Sequence, residues 1–390
     1  MQGKGRASRL LGCVVVALLL AGCGSSLTAA TIASGSVKVG LLIPQSGVLA
    51  AVGTDISRGF HLYLSQHGGL LGGRKISLVT ADEGAGPDTG VPAGQRLIQQ
   101  NQVGVTVGVV NSATALGLIQ PYNEAKVPLV IATAGANALT GVHASDYIWR
   151  TSFSNANLGA SMGDYVAKQV GPGTVYLIAP DYAAGHEQIA GFQQAFQAAG
   201  GHVAGSAFPS FGATSNYQPY LARIQQSGAN AVFAFFSGVE AISFVRQYKD
   251  FGLSPEIPLY ATGPVTEGNV LRGEGAAALG IRTGLNYCTE LNTPTNRAFV
   301  AAYGAAYHDP PTVFAVAGYD AAHVLDKALA GATSGAQVVA GLRQLGDIDS
   351  PRGTWRFSPT HNPIQQYYLR GVSEQNGTLV NVLAGKLTNN

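Results

Sequence analysis

Twice in succession along this chain, short apolar runs alternate with segments whose apolar residues recur at helical spacing, and no other feature restricts the fold as strongly. Residues 37–44 are a largely apolar run of the kind a strand buried on both faces requires. Ile56, Phe60, Tyr63, Leu64 and His67 then mark one helix face. Glycine pairs at 68–69 and 72–73 break the chain before a strand at 75–81. A helix at 88–100, a strand at 104–110, a helix at 113–124 and a strand at 128–132 follow. After a pause at 137–154 the pattern restarts with a helix at 157–169 and a strand at 174–179. Next come a helix face of Ile189, Phe192 and Phe196, a strand at 202–208, a helix at 217–226, a strand at 231–236, a helix at 240–251 and a strand at 258–261. Alternation with buried-type strands predicts parallel, doubly wound sheets. Two such runs of similar size predict an α/β fold of two Rossmann-like lobes. Beyond Gly280 the texture changes to a strand ending at Tyr287, helices near 296–307, 313–329 and 336–345, and strand-like pieces at 365–372 and 378–383. The late helices are expected to pack back on the first lobe, so that repeated crossings make a hinge. Asn376-Gly377 between the last two pieces fits a glycosylation sequon and, better, a hairpin turn.

The first residues speak of export. Lys4, Arg6 and Arg9 precede an uncharged apolar stretch at 10–20, the layout of a secretory signal and too short to span a bilayer. Leu20-Ala21-Gly22-Cys23 resembles the bacterial lipobox, which implies acylation of Cys23 after removal of residues 1–22. Residues 23–36 then read as the lipidated cysteine and a flexible, uncharged tether. No later segment offers 18 uninterrupted apolar residues, so the lipid is the expected membrane element. With Cys13 removed and Cys23 acylated, Cys288 stands alone as a buried, inert thiol without an intrachain disulfide. The remaining body is long enough for two domains. At 46% hydrophobic and 11% charged residues it can build a large core, which argues against disorder. A net charge of +2 without a basic block gives no support for nucleic-acid binding.

The strings "VGLLIPQSGVLAAVG", "GGLLGGRKISLVTADE", "VGVTVGVVNSATALGLIQPYNEAKVPLV", "YIWRTSFSN", "APDYAAGHEQIAGFQQAFQAAGG", "FVRQYKDFGL" and "NRAFVAAYGAAY" occur in this order across the body. In that order the chain resembles the type I periplasmic binding proteins of ABC importers, specifically the leucine/isoleucine/valine-binding family. The resemblance implies a Venus flytrap, with lobes joined by three crossovers closing on one small solute. It implies lobe I at 37–153 plus 286–358 and lobe II at 154–285 plus 359–390. It further implies a monomer on the outer side of a bacterial membrane, working with ABC permease and ATPase subunits and needing no cofactor. A ligand-sensing receptor component is a second class that uses the same fold.

Asn111-Ser112-Ala113-Thr114 follows a buried strand and opens a helix, whose free N–H groups and dipole favour an anion. Ser112 or Thr114 reads equally as the helix N-cap. By resemblance this loop holds a ligand carboxylate through Ser112, with Ala113 and Thr114 beside it. The loop at 132–136 contributes main-chain contacts from Ala134 and Ala136, and Ser46 lines the same mouth. The family's acidic partner for a ligand ammonium aligns at or beside Gly263, where no carboxylate stands. Its tyrosine contacts fall on Val52, Ala184 and Ser237, and Tyr182, Phe235 or Phe236, and Tyr260 are the aromatic replacements. An ammonium buried without a carboxylate costs several kcal/mol. The favoured ligand is therefore an aromatic or other organic acid, with a branched-chain or other aliphatic amino acid in a different register as the alternative. Two catalytic strings fail. Gly159-Ala160-Ser161-Met162-Gly163 lacks the strand that a nucleophile elbow needs, and His186-Glu187 lacks the second histidine of a zinc helix. An enzyme is not expected, nor a metal site.

Overall fold

The computed structural model describes residues 32, 35–141 and 144–388. The expected signal, Cys23 and most of the tether lie outside the described residues. The first apolar run becomes β1 (Ser36–Ile43), buried throughout from Val39 onward. With β2 (Leu70–Leu71), β3 (Arg74–Asp82), β4 (Val105–Gly108), β5 (Leu129–Ile131) and β6 (Ile148–Arg150) it forms a sheet of order β2-β3-β1-β4-β5-β6. All its pairings are parallel except the β2–β3 hairpin. Helices α1 (Ala50–Gln66), α2 (Pro87–Gln99) and α3 (Ser112–Ala125) make the connections.

The second run builds β7 (Thr174–Ile178), β8 (His202–Ala207), β9 (Ala231–Ala234), β10 (Leu259–Thr262) and β11 (Arg282–Leu285), all parallel. The helix expected at 157–169 is two, α4 (Asn155–Ala160) and α5 (Gly163–Val170). Between them the Ser161 hydroxyl donates to the Leu158 carbonyl at 2.7 Å, competing with the helical ladder. The Gly-x-Ser-x-Gly string thus straddles a helix break. Helices α6 (Ala183–Ala198), α7 (Gln218–Gln226), α8 (Gly238–Asp250) and α9 (Asn269–Glu274) complete this unit.

The late helices α10 (Pro294–Tyr307), α11 (Val313–Leu329) and α12 (Gly335–Arg343) return to the first sheet. There α11 lies directly on α1. A Cβ at Gly59 would stand 1.8 Å from the Ala315 carbonyl oxygen, and one at Gly318 would stand 2.2 Å from that of Ile56. Only glycine permits that approach. A ribbon of β12 (Arg356–Phe357) and β13 (Pro363–Ile364) leans on β6, with His361 stacked on Trp149 at 3.8 Å and Asn362 accepting from Arg150 at 3.0 Å. Residues 359–364 therefore sit with the first lobe, not the second as expected, and the last crossing follows Ile364. The hairpin β14 (Tyr368–Gln375) and β15 (Thr378–Lys386), turned by Asn376 and Gly377 at φ +51° and +77°, extends the second sheet to β15-β14-β11-β10-β9-β7-β8.

The chain passes between the sheets after β6, after β11 and after β13. These crossings are tied together: Gln365 donates to the Ser152 carbonyl at 2.6 Å and accepts from the Asn286 amide at 3.0 Å. Buried Arg352 donates to the Thr151 carbonyl and pairs with Asp320 at 3.3 Å. Cys288 lies buried beside this junction.

Candidate ligand-binding site

The end of β4 is kinked. Val109 has φ +63°, rare for a β-branched residue. Its N–H donates to Leu42 at 2.8 Å and its carbonyl accepts from Ala134 at 3.0 Å. The kink carries residues 110–112 off the carboxyl edge of the sheet, where open α/β sheets bind ligands. Behind the loop lies Glu83, fully buried, accepting from the Val110 and Asn111 amides at 2.8 and 2.7 Å. Burial pushes its carboxyl up to about 8.

The helix cap differs from expectation. Asn111 is the N-cap of α3, its side-chain oxygen accepting from the amides of Ala113 at 2.9 Å and Thr114 at 3.2 Å. Those amides are therefore occupied. What the loop offers is the Ser112 hydroxyl. Its oxygen accepts from the Asn155 amide at 3.3 Å, leaving its proton free to point elsewhere.

Between the lobes lies a small, partly enclosed cavity. From the first lobe it is lined by Leu49, Val52, Val110, Ser112, Thr133, Gly135 and Phe314. The first crossover adds Phe153 and Asn155, and the second lobe contributes Tyr182, Ala184, Gln188, Phe235, Ser237 and Pro264. Tyr182 stacks on Phe211 at 4.2 Å, and burial together with nearby Glu240 raises its phenol, which stays neutral. No acidic or basic side chain lines the cavity. The lobes touch around it. A Cβ at Gly238, whose φ is +59°, would stand 2.2 Å from the Val48 carbonyl oxygen, and Arg272 of α9 reaches Asp309 at 3.2 Å.

Of the residues singled out from the sequence, Ser112, Tyr182, Phe235 and Ser237 line this cavity, as do positions 52 and 184, while Ser46, Ala113, Thr114, Ala134, Ala136, Tyr260 and Gly263 are not among its lining residues. Ser46 is exposed and donates to Asp82 at 2.8 Å. Ala113 and Thr114 spend their amides on the cap. The amide of Ala134 goes to Val109, and the carbonyl of Ala136 accepts from Arg150 at 2.9 Å. Tyr260 meets Tyr165 edge-on at 6.0 Å, away from the cavity. Gly263 packs against Leu285, which a Cβ would meet at 2.6 Å, and its carbonyl accepts from Arg370 at 3.1 Å. Phe235 faces the cavity, while Phe236 stacks on Phe244 in the core behind. Val52, Ala184 and Ser237 all reach the cavity, so space opens at positions the resemblance associates with tyrosines.

Glu267, the nearest carboxylate to Gly263 in sequence, is committed elsewhere. It accepts from the Val313 amide at 2.7 Å and pairs with Arg370 at 2.7 Å, with both side chains buried. Sequence reasoning missed Thr133, Asn155 and Gln188. Thr133 had a readable signal, since it follows β5 at the same sheet edge as Ser112. Its hydroxyl and the side-chain carbonyl of Gln188 are buried without hydrogen-bond partners.

Two parallel-sheet lobes, three crossings and an interlobe cavity free of charged side chains define a solute-capturing protein. The chain belongs to the periplasmic binding protein family, which it matches over residues 36–378. It is 31% identical to the Leu/Ile/Val-binding protein homolog 6 of Brucella melitensis, covering 91% of this chain and 93% of that one. An ABC transporter solute-binding protein of R. palustris, solved with benzoate, superposes with a TM-score of 0.84 at 36% identity, over 91% and 98% of the two chains. One from Rhodopseudomonas palustris BisB5, solved with 3,4-dihydroxybenzoic acid, gives 0.85 at 31% identity over the same shares. Such relatives are transport components outside the cytoplasm. No helix among the described residues is long and apolar enough to cross a membrane.

Proposed function

We propose that this protein delivers a small aromatic carboxylate, of the benzoate class, to an ABC importer. The observation that carries the reading is the cavity wall: hydroxyls of Ser112, Thr133 and Ser237 beside the rings of Phe153, Tyr182, Phe235 and Phe314, with no carboxylate. Hydroxyl donors satisfy a ligand carboxylate and rings pack on a flat apolar body. An amino-acid ammonium would find no anion, because Glu267 already serves Arg370. The relatives solved with benzoate and dihydroxybenzoate support the same reading. Acylation at Cys23, a monomeric body and docking on a permease with its ATPases belong to this proposal, as does the division into lobes on either side of the crossings. Calorimetry with benzoate, hydroxybenzoates, leucine, isoleucine and valine tests it. The aromatic acids should bind at least about tenfold more tightly, about 1.4 kcal/mol. The opposite order removes the proposal.

A further inference from the structure

Gln188 is about 1% exposed and lines the cavity, and its buried side-chain carbonyl has no protein donor. The direction of that amide is fixed by its neighbours. Glu187, on the same helix, accepts from the Asn155 side-chain amide at 2.8 Å. A carboxylate can only accept, so Asn155 must turn its NH₂ toward Glu187 and Ser112 and its oxygen away. That oxygen faces Gln188 at 3.4 Å, so Gln188 must present its own NH₂ to it. Its carbonyl oxygen is thereby left as an unmet acceptor on a residue that lines the cavity. Glu187 also accepts from the Asn137 amide of the first lobe, at 3.1 Å to each oxygen. The string is thus completed by a contact between lobes.

We infer that Glu187, Asn155 and Gln188 form a specificity element that selects an aromatic acid carrying a hydroxyl donor over the unsubstituted acid. The inference rests on the function proposed above and deepens it. A buried acceptor left unmet penalises benzoate, whereas a ring hydroxyl satisfies it. The same acceptor repels a carboxylate, so the acid group is directed to Ser112 and Thr133 and the hydroxyl to the second lobe. Glu187 is a positioning residue and Gln188 the contact.

The test is the ratio of benzoate to hydroxybenzoate dissociation constants, measured by calorimetry with the 2-, 3- and 4-hydroxy isomers on the full-length protein. For at least one isomer the ratio should be about 10 or more in the wild type and fall toward 1 in Gln188→Met. Glu187→Gln, which can offer NH₂ to Asn155 and so release the string, should lower the ratio as well, and it carries the test if Gln188→Met does not fold. A merely structural role for Glu187 would weaken all ligands together and leave the ratio in place. Equal affinities for benzoate and every hydroxybenzoate in the wild type overturn this inference and leave the function standing. So does a preference that both variants retain. Binding of leucine with no aromatic acid overturns both.

Discussion

The two walls of the cleft are built differently. Among apolar Leu49, Val52, Val110 and Phe314, the first-lobe wall carries a polar ledge: a kinked strand end at Val109, a loop held from behind by Glu83, and hydroxyls from Ser112 and Thr133. The second-lobe wall consists of side chains at helix starts and strand ends, with rings from Tyr182 and Phe235, the Gln188 amide, and small residues at 184 and 237. The contrast teaches a division of labour. In the function proposed above, one wall anchors the ligand's carboxylate and the other selects the body that accompanies it.

Removing the anchor should have the largest effect. Ser112→Ala with Thr133→Val deletes two donors to a charged group, each worth roughly 1.5–3 kcal/mol, so the affinity for every carboxylate ligand should fall by about 100-fold or more. Calorimetry with benzoate checks it, and a loss below tenfold would mean that the ledge does not hold the acid. A smaller effect is expected from charging the sorting wall. Ser237→Glu places a carboxylate at a half-buried cavity position and should weaken benzoate roughly 30-fold while weakening leucine less. An equal loss for both ligands would contradict the proposed sorting role.

The smallest effect concerns the support behind the ledge. The Glu83 carboxyl is raised from 4.5 to about 8 by burial, so the folded state holds its proton more tightly than the unfolded chain. Its contribution to stability is complete below pH 4.5 and is lost as pH rises through 8. The Tm should therefore decline between pH 5 and 8.5, and Glu83→Gln should flatten that decline by about 2 °C or more. A variant with the wild-type slope would show that Glu83 is already charged in the native protein.

The fold was largely legible because strand and helix periods are local. Residues 37–44 and the α1 face are readable without knowing their partners, and the first lobe is the simplest place for the late helices to pack. The site was less so. Phe235 and Phe236 differ only in strand parity, which sequence did not settle, and Tyr260 lies away from the cavity. Asn111 took the cap one position before Ser112, which freed the serine and consumed the amides meant for the anion. Asn155 and Gln188 carry no local signal. They look like surface polar residues of two helices until α4 and α6 pack together. Glu267 lay in view, but its partner Arg370 is over a hundred residues away, and only the tertiary fold could show that it was spoken for.

Gln365 gives the joint between the lobes a mechanical character. One side chain grips two of the three crossings through opposite ends of its amide, and itself sits on the third. Linkers tied in this way resist sliding past one another separately by the worth of those hydrogen bonds, about 1 kcal/mol each. A displacement of one crossing is thereby passed to the other two through the same amide. A ligand that draws the lobes together should therefore move the three crossings as one joint.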